Sequence, residues 1–163
     1  MREIVTKSHG TTLSLAVFVG MALVLIMGSA AGAQTADLDF FVEEVRENHI
    51  DKVRAFIQSG IDVNARDVFG NNTGLHWAAS LGLAEMARLL IDNGADLDIR
   101  NDDGDTPLHW AAGEGQKELV VILIAHGADT NARGKNGWTP LRLAEAQSQK
   151  EIARILVAAG VRR

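Results

Sequence analysis

The sequence predicts an all-α fold, a solenoid of about four stacked helix-turn-helix units that occupies residues 34–163. The first observation is the segment TGLHWAA at Thr73, which returns as TPLHWAA at Thr106 and as TPLRLAE at Thr139, each time after 33 residues. The second is a glycine series that keeps the same step, Gly60, Gly94, Gly127 and Gly160. The third is the low aromatic content of 5%, which favours a core of aliphatic and alanine side chains between closely packed helices. Such a period is typical of repeat proteins, whose neighbouring units bury each other's apolar faces.

The first 33 residues predict a secretory signal peptide. A weakly positive start precedes an apolar run over 13–27, and small residues then lead to Ala31 and Ala33 just before Gln34. These are the parts of a signal peptide, whose cleavage site requires small side chains. We therefore expect cleavage between Ala33 and Gln34 and export of the chain, either to the periplasm of a Gram-negative cell or as a secreted protein.

An uncleaved membrane anchor is the alternative interpretation of the same segment. No formal charge occurs between Ser8 and Ala36, and this stretch exceeds the roughly 20 residues that span a bilayer. The small residues at 28–33 and the lack of a basic cluster after them favour cleavage. If the segment is retained, the protein would be a membrane-tethered scaffold.

The chain is acidic and contains no cysteine. It has 16 Lys and Arg against 21 Asp and Glu, and removing residues 1–33 takes away two basic residues and one acidic residue, which leaves a net charge of −6. Because phosphates repel such a surface, we expect no nucleic-acid partner and no docking on a membrane after cleavage. The lack of cysteine excludes disulfides and thiolate metal sites.

The repeat divides the chain into units at about 37–66, 67–100, 101–133 and 134–163. In the third unit, Thr106 is expected to cap the first helix, with Pro107 at the first helical position, where a missing N–H costs nothing. The second helix is predicted over 117–125, because its aliphatic residues recur at helical spacing. Residues 37–47 are expected to form the first helix of a divergent N-terminal unit, since terminal units of solenoids are commonly irregular.

The third unit resembles an ankyrin repeat nearly throughout. It contains a tip with a glycine, T-P-L-H, two alanines, a glycine, an aliphatic second helix and G-A-D, in the order of that family's consensus. The resemblance covers about residues 48–160 and implies an L-shaped stack of helix pairs with hairpin tips. The departures are Gly74 in place of proline, one extra residue within 68–72, Arg142 in place of histidine and Ser148 in place of glycine.

Three columns of apolar side chains are expected to stack along the array. They are Leu75, Leu108 and Leu141; Ala78, Ala111 and Ala144; and Phe56, Leu90, Leu123 and Leu156. Trp77 and Trp110 are expected to pack between repeats. The alanine column is small enough to let neighbouring helices touch.

His76 and His109 are the residues that most invite a catalytic or metal-binding interpretation. They lie one repeat apart, about 10 Å for packed helices, which is too far to share a zinc ion whose ligands lie about 2 Å from it. The resemblance implies instead that this histidine binds backbone near the tips. The sequence contains no phosphate loop and no nucleophile-plus-base motif, so we expect no catalytic residue, no metal ligand, no cofactor and no enzyme activity.

Acidic residues cluster between Asp96 and Asp105, which raises the question of calcium. An EF-hand loop needs oxygen ligands at positions 1 and 12 around a glycine at position 6. Placing Gly104 at position 6 puts Ile99 and Trp110 at those ends, so the motif fails. We expect a solvated acidic tip.

The resemblance implies that the tips and the exposed side of the first helices form a concave face that binds a protein partner. The candidate residues are Val68, Phe69, Asn71, Asn72, Ser80, Leu81, Asp102, Asp103, Asp105, Glu114, Lys135, Asn136, Trp138 and Gln147. Phe69, Leu81 and Trp138 are expected to face water as apolar anchors. For Trp138, packing against its own hairpin is an equally open alternative. The partner's identity is not readable, and we expect a monomer.

Overall fold

The computed structural model of the protein describes Leu38 and residues 40–160. The predicted signal peptide, with Ala31, Ala33 and Gln34, lies outside these residues. Within them the helices are α1 (40–46), α2 (Ile50–Gln58), α3 (Gly74–Leu81), α4 (Ala84–Asp92), α5 (Pro107–Gly113), α6 (Lys117–Ala125), α7 (Pro140–Ala146) and α8 (Lys150–Ala158), with a short 3-10 turn at Lys135–Gly137. None of the helices in this part of the chain has both the length and the apolarity that crossing a bilayer requires.

The helices follow one another in pairs, and equivalent helices of successive pairs lie side by side. Helix α5 packs between α3 and α7, and α6 packs between α4 and α8. The predicted all-α solenoid of stacked helix pairs is therefore confirmed. The hairpin character of the tips is slight, because the described residues contain a single isolated antiparallel bridge, Arg66 with Thr73, and no longer strand.

Each first helix begins at a threonine, as predicted. Thr73, Thr106 and Thr139 are extended N-cap residues, and Pro107 and Pro140 occupy the first helical positions of α5 and α7. In α3 the proline is replaced by Gly74, and the reason lies in the packing. A Cβ atom at Gly74 would lie 3.2 Å from a methyl group of Val45, so the glycine lets α1 approach α3 closely.

The leucine and alanine columns form the core as predicted. Their members within the second, third and fourth pairs are at most 3% exposed. Phe56 is the exception, because it is only half-buried and lies edge-on to Phe41, with ring centroids 6.2 Å apart. Fully buried Phe41, Val45 and Val53 fill the core of the first pair instead. The first pair thus takes much of its core from α1, a helix without clear repeat similarity.

The turn between the two helices of a pair places one residue in the left-handed region of the backbone. Asn48, Gly82, Gly115 and Ser148 occupy this position in the four successive pairs, with φ of 59°, 74°, 81° and 59°. Glycine adopts this conformation without the steric penalty of a Cβ atom. Ser148 therefore keeps the family's turn geometry with a less suitable residue.

Repeated hydrogen bonds join each unit to the next. The Arg66 guanidinium donates to the Arg100 carbonyl at 2.8 Å, and the Arg100 guanidinium donates to the Arg133 carbonyl. On the opposite side of the tips, the Gln116 side-chain amide donates to the Ser80 carbonyl at 2.9 Å. These bonds satisfy the loop backbone and fix the spacing of the units.

Candidate protein-binding surface

An open cleft of about 390 Å³ runs across the exposed side of α3, α5 and α7. Trp77, Trp110 and Leu143 lie along it at equivalent repeat positions, 33 residues apart, and each is half-exposed. The remaining lining residues are Ser80, Asp105, His109, Gly113, Glu114 and Gln147. The volume lies in the range of pockets that hold a ligand or several side chains of a partner.

The centre of the cleft is aromatic. The rings of Trp77 and Trp110 meet edge to face, with centroids 5.3 Å apart and planes at 90°. The imidazole of His76 meets Trp110 in a similar way at 5.6 Å. Edge-to-face contacts of this kind fix both indoles without burying them, so the cleft presents rigid, partly solvated aromatic surface.

Four residues of the predicted surface meet in this cleft. They are Ser80, Asp105, Glu114 and Gln147, from three different units. Burial raises the pKa of the Asp105 carboxyl, with the nearby Asp103 charge adding to the effect and His109 and Lys135 opposing it. The cleft therefore combines an apolar centre with acidic and amide groups at its edge, the usual arrangement of a protein-binding surface.

Both histidines have structural hydrogen bonds on each ring nitrogen. The backbone N–H of Thr73 donates to Nδ1 of His76 at 3.2 Å, so Nε2 carries the proton and donates to the Asp105 carbonyl at 3.0 Å. His109 repeats this pattern with Thr106 and the Trp138 carbonyl. Burial lowers the pKa of His76 to about 4 and lowers that of His109.

These bonds define the role of the two imidazoles. Each neutral ring caps the start of one first helix and ties it to the tip of the next unit. Neither nitrogen is left free to transfer a proton or to bind a metal, which agrees with the predicted structural role.

The first tip presents the most exposed apolar side chains of the predicted surface. Val68 and Phe69 are 71% and 83% exposed. They border a smaller hollow of about 260 Å³ that is also lined by Val42, Glu43 and Arg46 of α1. Among the described residues, this hollow is separate in its lining from the cleft over α3, α5 and α7.

Asn72 is wrongly assigned to the binding surface by the sequence. It is 5% exposed, and its amide groups bind the buried Asp67 carboxylate and the Asn101 side chain. Asp67 also accepts a hydrogen bond from the Trp77 indole at 2.8 Å. The extra residue in the first tip folds inward around this carboxylate, which removes Asn72 from the surface.

The remaining tip residues are exposed but mostly engaged with neighbours. The Asn71 amide donates to Asp102 at 2.7 Å, and Lys135 pairs with Asp103 at 2.5 Å. Asn136 is exposed and adopts a left-handed conformation, with φ of 59°. These contacts join successive tips, so the acidic run is partly neutralised.

Trp138 and Leu81 lie outside the cleft. Trp138 is half-buried, and the Arg142 guanidinium lies 4.8 Å from the centre of its ring. The expectation that this indole faces water as a free anchor is therefore only half right, and the alternative, packing against its own unit, fits the contact better. Leu81 is 48% exposed, as expected, but does not line the cleft.

Sequence reasoning missed the residues at the centre of the cleft. Trp77 and Trp110 do contact each other between repeats, as predicted, yet they also form the cleft, together with Leu143. The signal was present in the repeat itself, because these three residues occupy one repeat position and two of them are large aromatics. A core position of that size would not fit beside the alanine column.

Glu44, Glu47 and His49 place their side-chain donor atoms within 4.8 Å of one another at the end of α1. The Lys52 ammonium lies 2.9 Å from both Glu44 carboxylate oxygens, and the His49 ring lies 2.5 Å from one of them. This exposed group is accounted for by ion pairs within the first unit.

Comparison with known proteins places these features in a family. A family model described as ankyrin repeats (3 copies) matches residues 41–134 and 75–162. Human protein phosphatase 1 regulatory subunit 27 is 43% identical over 65 residues, 40% of this chain and 42% of that protein. The mouse B-cell lymphoma 3 protein homolog is 33% identical over 103 residues, 60% of this chain and 23% of that protein. Serine/threonine-protein kinase 12 of Arabidopsis thaliana is 41% identical over 61 residues, 37% of this chain and 13% of that protein. The chain spans less than half the length of these relatives.

Proposed function

The chain belongs to the ankyrin-repeat family, and from this premise we propose that it is a non-catalytic module that binds another protein through the cleft over α3, α5 and α7. Ankyrin repeats generally mediate protein–protein interactions. One relative is named as a regulatory subunit of a phosphatase, which supports a role exerted through association.

One observation carries the choice of surface. Trp77, Trp110 and Leu143 form a continuous half-exposed apolar stripe at the centre of a concave face, with polar groups around it. Buried aromatic residues surrounded by polar groups are typical of the residues that dominate binding energy at interfaces. No enzymatic step is part of the proposal, since both imidazoles near the cleft are held by backbone groups on each nitrogen.

Affinity capture with the full chain, tagged at its C-terminus and produced in its native host, tests this surface. We expect Trp110→Ala to weaken capture of the partner by roughly 30-fold, the equivalent of about 2 kcal/mol at an interface hot spot. Val121→Ala is the matched control, because Val121 is 48% exposed on α6, outside the cleft lining.

The first tip supplies the competing surface. If a folded Trp110→Ala variant retains the partner while Phe69→Ala loses it, binding occurs at the tip, and the proposed cleft is wrong. If the wild-type chain recovers no protein above an untagged control, the binding role itself is contradicted. Circular dichroism of each variant confirms that the helices are intact before the comparison is made.

We also propose that the chain is exported. The support is the order of charge, apolar run and small residues over 1–33. Intact-mass analysis of the chain recovered from its host decides between the alternatives. A chain that begins at Gln34 indicates cleavage, a full-length chain in the membrane fraction indicates an anchored scaffold, and a full-length chain in the cytosolic fraction contradicts both.

A further inference from the structure

The charge of the cleft is one-sided. Asp105 and Glu114 line it, and none of the described lining residues is Lys or Arg. His109 also lines it, but its ring is held neutral between Thr106 and Trp138. Neither carboxylate forms an ion pair with a described basic residue, since the described pairs engage other acidic groups. The groups that could complement this edge must therefore come from outside.

The tryptophans of the protein show which cation suits them. The Arg46 guanidinium lies 4.5 Å from the ring centre of Trp77, and the Arg142 guanidinium lies 4.8 Å from that of Trp138. Trp110, in the middle of the cleft, has no described cation over its ring. Guanidinium groups stack on indole faces through the ring quadrupole and through planar contact. The same contact is available at Trp110 to a side chain of a partner.

We propose that the cleft accepts an arginine or lysine side chain of the partner protein, stacked on Trp110 and paired with Glu114 and Asp105. The inference rests on the proposed function, because it names the chemistry that the cleft would recognise. Arginine is the better fit, since its planar group can stack on the indole and donate to a carboxylate at the same time. The half-buried Asp105 adds to this, because an arriving cation would offset the cost of keeping that carboxylate charged away from water.

The test uses two short peptides that differ only in charge. One is Ac-Leu-Arg-Leu-NH₂, and the other replaces arginine by citrulline, which has nearly the same shape but no charge. Titration of the ¹⁵N-labelled protein, with the three indole N–H signals as probes, gives both the affinity and the place of binding. We expect the Trp110 indole signal to move and the arginine peptide to bind roughly three- to tenfold more tightly than the citrulline peptide, as for a cation–π contact with a carboxylate nearby.

Variants locate the charge. Glu114→Gln should reduce the preference for arginine while keeping the weak binding of the citrulline peptide. The exposed Glu118→Gln on α6 is the matched control and should leave the preference unchanged, since Glu118 pairs with Arg88 outside the cleft lining. Glu114 is exposed, so its replacement is not expected to unfold the domain.

Three outcomes would overturn the inference. They are equal affinity for both peptides, movement of the Trp138 signal without that of Trp110, and no signal change with either peptide. None of these contradicts the proposed function, which is judged separately by the effect of Trp110→Ala on capture of the partner. A partner that still requires Trp110 but binds no basic peptide would leave the cleft in place with a different recognition chemistry.

Discussion

His76 illustrates, at the scale of a single residue, how a polar side chain can be fully buried without remaining unsatisfied. It is 0% exposed, accepts from the Thr73 backbone and donates to the Asp105 backbone of the next unit. Protonation would add a charge in a desolvated place and would remove the Nδ1 acceptor. The ring is therefore a cap and a tie between units only while it is neutral.

This requirement predicts a pH dependence of stability. The pKa of folded His76 is about 4, below its usual 6.5, so the unfolded chain binds more protons between these pH values. The stabilisation is fully present above pH 6.5, falls as the pH drops, and amounts to roughly 3 kcal/mol by pH 4. Urea unfolding at pH 7 and at pH 4.5 should show a smaller loss for His76→Gln than for the wild type. Parallel losses in the two proteins would contradict the assignment.

Residue-scale prediction from the sequence succeeded where the repeat fixes the environment. The histidines lie at one repeat position after a threonine cap, and their structural role follows from that position. It failed at Asn72, because the inserted residue of the first tip creates an inward loop around Asp67 that no other unit contains. A repeat pattern carries no information about a feature that occurs once.

At the scale of helices and turns, the departures of the terminal units have physical explanations. Gly74 makes room for Val45 of α1, and Ser148 occupies the left-handed position that glycine fills at the two central turns. The first of these improves the fit of a non-repeated helix. The second retains the turn with some conformational strain.

Replacing Ser148 by glycine should relieve that strain. Its φ of 59° is costly for a residue with a Cβ atom, and we expect Ser148→Gly to raise the free energy of unfolding by about 0.5–1 kcal/mol. Chemical denaturation followed by circular dichroism measures the change. The comparison variant is Ser148→Ala, which keeps the Cβ atom and should not stabilise the protein. A gain of equal size in both variants would show that the backbone conformation is not the cause.

The helix pairs were predictable because threonine, proline and glycine mark their ends and the aliphatic residues mark their buried faces. Helix α1 contains none of these repeated signals, and its large contribution to the core of the first pair was not foreseen. For the same reason Phe56 was placed in a fully buried column, although Phe41 and Val53 take that space.

At the scale of the whole molecule, stability is a property of neighbouring units together. Leu123 lies in α6 between α4 and α8 and is 0% exposed. Its replacement by alanine should lower the free energy of unfolding by about 2–5 kcal/mol, since the cavity would lie between three units. Urea unfolding should show the same midpoint by circular dichroism and by tryptophan fluorescence. Val121→Ala, at an exposed position of the same helix, should change stability by less than about 0.5 kcal/mol.

The concave face was predictable as a region, but its centre was not. Ser80, Asp105, Glu114 and Gln147 were predicted for the surface and do line the cleft, because the family pattern assigns these positions to exposed sides of helices and tips. Trp77 and Trp110 were assigned to packing alone. A side chain at the edge of a core can be both packed and exposed, and only the three-dimensional arrangement shows which part of the indole remains accessible.

The seams on either side of the third unit use the same handholds. Arg66 reaches the Arg100 carbonyl and Arg100 reaches that of Arg133, while His76 and His109 each reach the backbone 29 residues further along. A gene duplication of residues 101–133 would therefore supply a module whose donors and acceptors already match on both flanks. Such an event would lengthen the array and its concave face without requiring any compensating substitution, so this architecture can grow by simple copying.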